Sequence, residues 1–428
     1  MRKSVKGFSV FLTVMLLVSL AATGLAAPQR TTLRVAWWGN PTRDERTIEV
    51  IEMYQKANPH ITIEYETTGW AGYWDKLAAQ AAANNLPDVI QHDYAYITQY
   101  ASQNLLLDLT PYVQANQLDL TGVADTFISG GRLEEKLYGI SLGTNAFALV
   151  YEPGVLEEAG LPMPAPDWTW ADFERMTAKI YNETGILSPV FCTTDPKFVV
   201  ENMYRQTGQS FFDQSGTMLG FTDPVLLIEF FNIQLRLLKA GMMTRVENAF
   251  IDKTPEESDF ALGKEWNGFF WSNQFVMMQN AVGRPLDLAF SPQISGSKQP
   301  GTYLKPSMFF TVANASRNKD EAVDFVNYFI NDLEANKVLL AERGIPIVPK
   351  VRDTLKGMVT PAERKVFDFI DLAGEYSSPI DPPEPAGSIE VTNLLRQIDQ
   401  EVLYGMISPE EAADKFMQQA NEILVRNK

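Results

Sequence analysis

The chain has 428 residues, a formal net charge of −17 and one cysteine, Cys192. The length gives room for two ordinary domains rather than one, and the acidity makes nucleic acid and anionic lipid surfaces poor partners. A single cysteine excludes an intrachain disulfide, and Cys192 reads as a small core residue rather than a reactive thiol.

Residues 1–27 have a basic start (Arg2, Lys3, Lys6), an apolar run from Phe8 to Leu20 and the small residues Ala21, Ala22, Gly24, Ala26 and Ala27. That three-part layout predicts a secretory signal peptide, cleaved after Ala26 or Ala27. The apolar run is shorter than the roughly 20 residues of a spanning helix, which disfavours a retained anchor. No cysteine stands at the cleavage site to carry a lipid, so a periplasmic protein is expected, with a secreted one as the alternative.

Three short runs follow, each with strand character and each leading into aromatic or polar residues. Leu33 to Ala36 enters Trp37-Trp38, Ile61 to Tyr65 precedes Trp70 and Tyr73-Trp74, and Asp88 to Gln91 enters Asp93-Tyr94. Between them, helices are expected over 43–57, stopped by Asn58-Pro59, and over 73–84. The β-α-β-α-β order predicts a parallel α/β sheet. In such a sheet ligands sit beyond the carboxyl ends of the strands, so these aromatic residues converge on one crevice.

Further helices are expected at 170–181 with Thr169 as cap, 224–240 with Asp223, 319–331, and 409–425 with Ser408; strands are expected at 146–151, 286–290 and 308–312. Pro379 to Gly387 reads as an extended loop.

Leu33 to Gly39, Asn58-Pro59, Gly69-Trp70, Leu86 to Ile90, Leu107-Asp108-Leu109, Tyr138-Gly139-Ile140, Gly143-Thr144-Asn145, Asp167 to Phe173, Gly268 to Gln274, Lys305-Pro306-Ser307 and Glu321 to Phe325 occur in order along the mature chain. As an ordered set they resemble the extracellular solute-binding proteins that serve carbohydrate ABC importers. The resemblance implies a two-lobed type II clamshell of α/β domains, each lobe a mostly parallel sheet flanked by helices, with a sugar between the lobes. Residues 28–143 with 286–331 would form the first lobe and 144–285 with 332–428 the second. It also implies an ABC permease as partner, no cofactor, and a monomer, since one chain holds the whole site. Closure on the sugar would be what the importer reads.

The expected sugar contacts are Trp38, opened by Gly39, with Trp37 turned to the core; Trp70 and Tyr73 around the second strand end; Asp93 and Tyr94 at the third; and Asn145 past the first crossing. From the second lobe come Trp271 and Asn273, which alternation puts on one face, an indole and an amide suiting a sugar better than an apolar core does. Trp168 and Trp170 head a helix and read as scaffold. Arg43 and Lys305 are cations beside these elements, and an arginine fork matches a carboxylate in two bonds. Within the family the set looks most like binders of pectin-derived oligosaccharides, which implies a uronate ligand, with a neutral oligosaccharide as the alternative.

A secreted glycoside hydrolase or polysaccharide lyase would also use aromatic platforms and paired carboxylates. Nothing marks such a pair. The two histidines are His60 and His92, and the sequence has no metal spacing, nucleophile elbow or glycine-rich phosphate loop. His92 beside Asp93 is the one fragment that resembles acid/base machinery.

Overall fold

The computed structural model describes residues 30–191, 196–251 and 253–427, so the signal segment and Cys192 lie outside the described residues. In chain order the strands are β1 (Thr31–Trp38), β2 (Ile61–Thr68), β3 (Val89–His92), β4 (Arg132–Leu133), β5 (Lys136–Leu137), β6 (Ile140–Asn145), β7 (Phe147–Tyr151), β8 (Asn267–Trp271), β9 (Asp287–Ala289) and β10 (Lys305–Val312). β4 and β5 form a small hairpin, and the rest build two sheets.

The first sheet has the order β2-β1-β3-β10-β6. β1 is parallel to β2 and β3, while β10 runs antiparallel between β3 and β6. All four residues of β3 are buried, as expected where helices cover both faces. The helix Pro41–Ala57 starts where Asn40 Oδ1 accepts the Arg43 amide at 3.0 Å and Pro41 supplies the first-turn geometry. It turns Val50, Ile51 and Tyr54 into a core that also holds Val35, Trp37, Val89, Phe309, Phe325 and Phe329.

The second sheet is β8-β7-β9, antiparallel throughout, which corrects the expectation of a mostly parallel sheet in each lobe: β7 is entered directly from β6 and its neighbours return to it in the opposite sense. Along β7, Phe147, Leu149 and Tyr151 face a second core with Phe173, Phe191, Phe230, Trp266 and Phe416, while Ala148 and Val150 face the other way. Trp168 and Trp170 are buried in this second core, and Thr169 closes a capping box with Asp172. Ser408 does the same for the last helix, Pro409–Arg426; for the helix Val225–Lys239 the cap is Pro224, although Asp223 still accepts the Val225 amide.

The chain crosses between the lobes three times. Only Ala146 separates β6 from β7, so one extended run leaves the first sheet and enters the second. Residues 290–304 return it to β10. The third crossing comes later than the expected boundary at 332: the helix Leu333–Leu339 still packs on Pro41–Ala57 of the first lobe, whereas Pro361–Glu375 packs on β9 and on the helix Phe275–Val282 of the second. The helix after Lys319–Asn331 buries Ala335 and Leu339 and lies against Pro41–Ala57.

Between those helices the backbone is strained. Leu340 and Ala341 are consecutive non-glycine residues with positive φ, 48° and 56°, and Gly344 follows at φ 94°. Such conformations cost of order 1 kcal/mol or more per residue and persist only when surroundings enforce them. Here Ile345 exchanges backbone hydrogen bonds with Thr144, and Ser307 Oγ donates to the Arg343 carbonyl.

Candidate functional site

A cavity of about 680 Å³ lies between the lobes, at the crossings. It is lined by six of the ten expected contacts: Arg43, Asp93, Asn145, Trp271, Asn273 and Lys305. Local structure explains the meeting. Lys305 and Asn145 are register partners in β10 and β6, and Trp271 ends β8 opposite Phe147, two residues past Asn145. The chain then turns through Ser272–Gln274, where Gln274 Oε1 accepts the Trp271 amide at 3.0 Å and Asn273 is left exposed on the cavity wall.

The Trp271 ring is held edge-on by Phe198 at 5.0 Å and Phe147 at 5.7 Å, which fixes the indole. Lys305 Nζ stands over it, 5.1 Å from the ring centroid. Among the described residues no carboxylate lies within ion-pair distance of Lys305. Asp93 both caps the helix Tyr94–Ser102, accepting the Ala95 amide at 2.9 Å, and lines the cavity. Burial pushes its carboxyl up from the ordinary value, against the opposing pull of the Ala95 N–H and Lys305.

Arg43 lines the cavity, but its fork is not open. Arg43 Nε donates to both Glu342 oxygens at 3.1 and 2.9 Å, and Nη1 reaches the Trp38 carbonyl at 3.3 Å. Glu342, a carboxylate of the chain itself, therefore holds the Nε edge of the fork on which the expected carboxylate grip by Arg43 relies. Glu342 and Arg343 come from the strained third crossing and were not among the expected contacts. Arg343 is buried, its Nε donating to Gln91 Oε1 at 3.1 Å and Nη2 to Thr47 Oγ1 at 2.9 Å. Its Nη1 has no hydrogen-bond partner and sits 3.7 Å from Glu342. Burial pulls this guanidinium down to about 9, with Arg43 adding to the effect and Glu342 opposing it.

The other four expected contacts do not line this cavity. Trp38 is buried in an aromatic cluster, with Trp70 at 5.1 Å, Tyr73 at 5.3 Å and Trp74 at 5.5 Å, and Trp74 stacks on Tyr96 at 3.8 Å. Adjacent indoles at a strand end must split between faces, and Trp37 did go to the core, its Nε1 donating to Asp44 at 2.7 Å. Trp38, however, found enough aromatic partners to be covered as well. Trp70 alone of the cluster stands out, 48 % exposed. Tyr73 is a core residue: its hydroxyl donates to the Gln91 carbonyl at 2.8 Å and is 3.3 Å from that of Ala36. Tyr94 donates to the Asp381 carbonyl and so ties the first lobe to the extended segment 376–387.

That segment is held by charge. Arg205, on the helix Pro196–Arg205, pairs with Asp381, donates to Ser378 Oγ and the Pro379 carbonyl, and stacks over Tyr303 at 4.7 Å. Lys197 bonds Glu384 at 2.6 Å and lies 3.4 Å from Glu201. Burial raises the Glu201 carboxyl, with Lys197 and Arg205 opposing.

His92 is no acid/base partner for Asp93. It is fully buried, its Nδ1 faces Thr311 Oγ1 at 2.9 Å, and burial depresses it to about 3. Among the described residues no three potential metal ligands cluster, and no helix is long and apolar enough to cross a membrane.

Comparison with known proteins agrees with this architecture. The family model described as bacterial extracellular solute-binding protein matches residues 49–365. An extracellular solute-binding protein family 1 structure from Alicyclobacillus acidocaldarius superposes with TM-score 0.87 at 29 % identity, covering 93 % of this chain and 100 % of that one. A periplasmic oligogalacturonide binding protein from Yersinia enterocolitica superposes with TM-score 0.78 at 21 % identity, covering 93 % and 100 %. A lactose-binding protein of Rhizobium radiobacter is 24 % identical over 312 residues, 69 % of this chain and 70 % of its own length. The match across most of the chain, on a two-lobed α/β fold with a cavity at its crossings, places this protein in the bacterial extracellular solute-binding protein family.

Proposed function

We propose that the protein binds an oligosaccharide between its lobes in the periplasm and presents it, lobes closed, to the permease of an ABC importer. The observation that carries this reading is the Trp271 indole, fixed by two aromatic edges and exposed to a cavity that Asn145, Asn273, Asp93 and Lys305 also line. A flat apolar face among donors and acceptors is what a sugar ring, with C–H faces and hydroxyl edges, requires. Groups from both lobes and from the crossings share the cavity, so a ligand bound there stabilises the closed arrangement. Relatives of this fold include an oligogalacturonide binder and a lactose binder, which supports a sugar and leaves its charge to this chain's own residues.

A uronate remains the favoured acidic group, read by Lys305 alone. With Arg43 occupied by Glu342, the second reading, a neutral oligosaccharide, gains weight. Calorimetric titration of the mature protein with saturated and unsaturated galacturonides and with neutral oligosaccharides tests both. Micromolar or tighter binding of either class without turnover is expected, by a monomer in scattering. Turnover of the sugar would replace the transport reading with an enzymatic one.

A further inference from the structure

The floor of the cavity is the third crossing, and its charges are arranged unlike those of an open anion site. Two guanidiniums, Arg43 from the first-lobe helix and Arg343 from the crossing itself, face a single carboxylate, Glu342. Arg43 Nε is shared between both Glu342 oxygens and both side chains are mostly covered, 13 % and 12 % exposed, so the pair is held rather than fluctuating in solvent. Arg343 cannot turn away, since Gln91 and Thr47 fix its other nitrogens. The backbone on either side is pinned by Thr144 and Ser307. Glu342 thus occupies the position that a ligand carboxylate would take between the two arginines.

We propose that Glu342 is the charge-selectivity determinant of the cleft. It fills the arginine fork from within, so the part of the sugar lying over the hinge floor is a neutral, hydroxyl-bearing ring, and an acidic group is accepted only at the Lys305 end. This rests on the reading of the protein as a sugar binder. A second carboxylate over the floor would meet Glu342 at close range, a like-charge contact that Arg43 and Arg343, already turned to Glu342, offset only in part. A hydroxyl there meets a carboxylate acceptor and pays no such repulsion. The ligand class that fits is an oligosaccharide with at most one acidic unit.

The test is calorimetry on the unaltered mature protein and two variants, with neutral and singly or doubly acidic galactosides of matched length. Glu342→Gln removes the internal anion and frees Arg43, so the ratio of affinities for doubly acidic over neutral ligand should rise by about tenfold or more. Arg43→Gln leaves Glu342 with Arg343 alone and should move the same ratio the other way. Opposite movements of one ratio are not produced by loss of folding, and either variant suffices if the other fails to fold. A ratio that does not move in a variant that still binds sugar overturns the role of Glu342 and leaves the sugar-binding reading standing. Binding of none of these sugars by the unaltered protein overturns both.

Discussion

Lys305 Nζ stands 5.1 Å from the centroid of the Trp271 ring, joining a first-lobe strand to a second-lobe strand at the mouth of the crossings. The contact sets a cation over one face of an indole fixed at the cavity wall. Trp271→Ala removes the platform and should weaken sugar binding by about 2 kcal/mol or more, whatever the ligand's charge. Lys305→Met keeps an apolar stem over the ring and removes only the charge. It should cost roughly tenfold for a uronate ligand and much less for a neutral one. Titration of both variants with one acidic and one neutral ligand separates the two effects, and equal losses for Lys305→Met across both ligands would deny it a carboxylate-reading role.

The close approach of the first and third crossings depends on Gly143. A Cβ there would overlap the Arg343 carbonyl, which is backbone and cannot swing aside. Gly143→Ala should therefore break the Thr144–Ile345 backbone bonds and destabilise the fold by about 2 kcal/mol, with binding lost in parallel. Thermal unfolding and calorimetry check this. An unchanged Tm would mean that the strained crossing relaxes freely.

Much of the fold was legible where period and breaker residues agree. β1, β2 and the helices stopped at Asn58-Pro59 and started at Thr169 and Ser408 all carry local signals that the tertiary structure does not override. Of the expected contacts that line the cavity, Asp93 was read from a strand end, Asn145 from the first crossing, Trp271 from alternation and Lys305 from its charge beside these elements. Strand-end logic failed where competing partners decide. Tyr73 and Trp38 are as amphipathic as any sugar contact, but the carbonyls of Ala36 and Gln91 and three neighbouring rings claimed them. Glu342 was invisible for the opposite reason. Its partner Arg43 lies 299 residues away, and no local pattern announces an ion pair of that separation.

The segment 376–387 holds the lobes together through Arg205. Its guanidinium pairs with Asp381 and bonds Ser378 and Pro379, while Tyr94 reaches the Asp381 carbonyl from the first lobe. Arg205→Met should leave Asp381 unpaired, and Glu201 without one of its two opposing cations, at a cost of about 3 kcal/mol. Tyr94→Phe loses one hydrogen bond to a carbonyl and should cost about 1 kcal/mol. Denaturant midpoints distinguish the two. Similar small losses would show that Asp381 is solvated once released.

Away from the cleft, Glu265 governs a pH dependence of stability. Its carboxyl is buried, among the described residues only the Thr244 hydroxyl donates to it, and burial pushes it up to about 7. An unfolded glutamate titrates near 4.5. Between these values the folded chain holds a proton that the unfolded chain has released. The stability contributed by the neutral acid is therefore complete below about 4.5 and is lost as pH rises through about 7. The span corresponds to a loss on the order of 3 kcal/mol. Glu265→Gln keeps an acceptor for Thr244 and cannot ionise, so it should gain on the unaltered protein as pH rises from 5 to 8. His92, buried and neutral in both proteins, cancels from that comparison. Urea midpoints of the pair at pH 5 and pH 8 measure the difference directly, and parallel shifts would place the proton elsewhere.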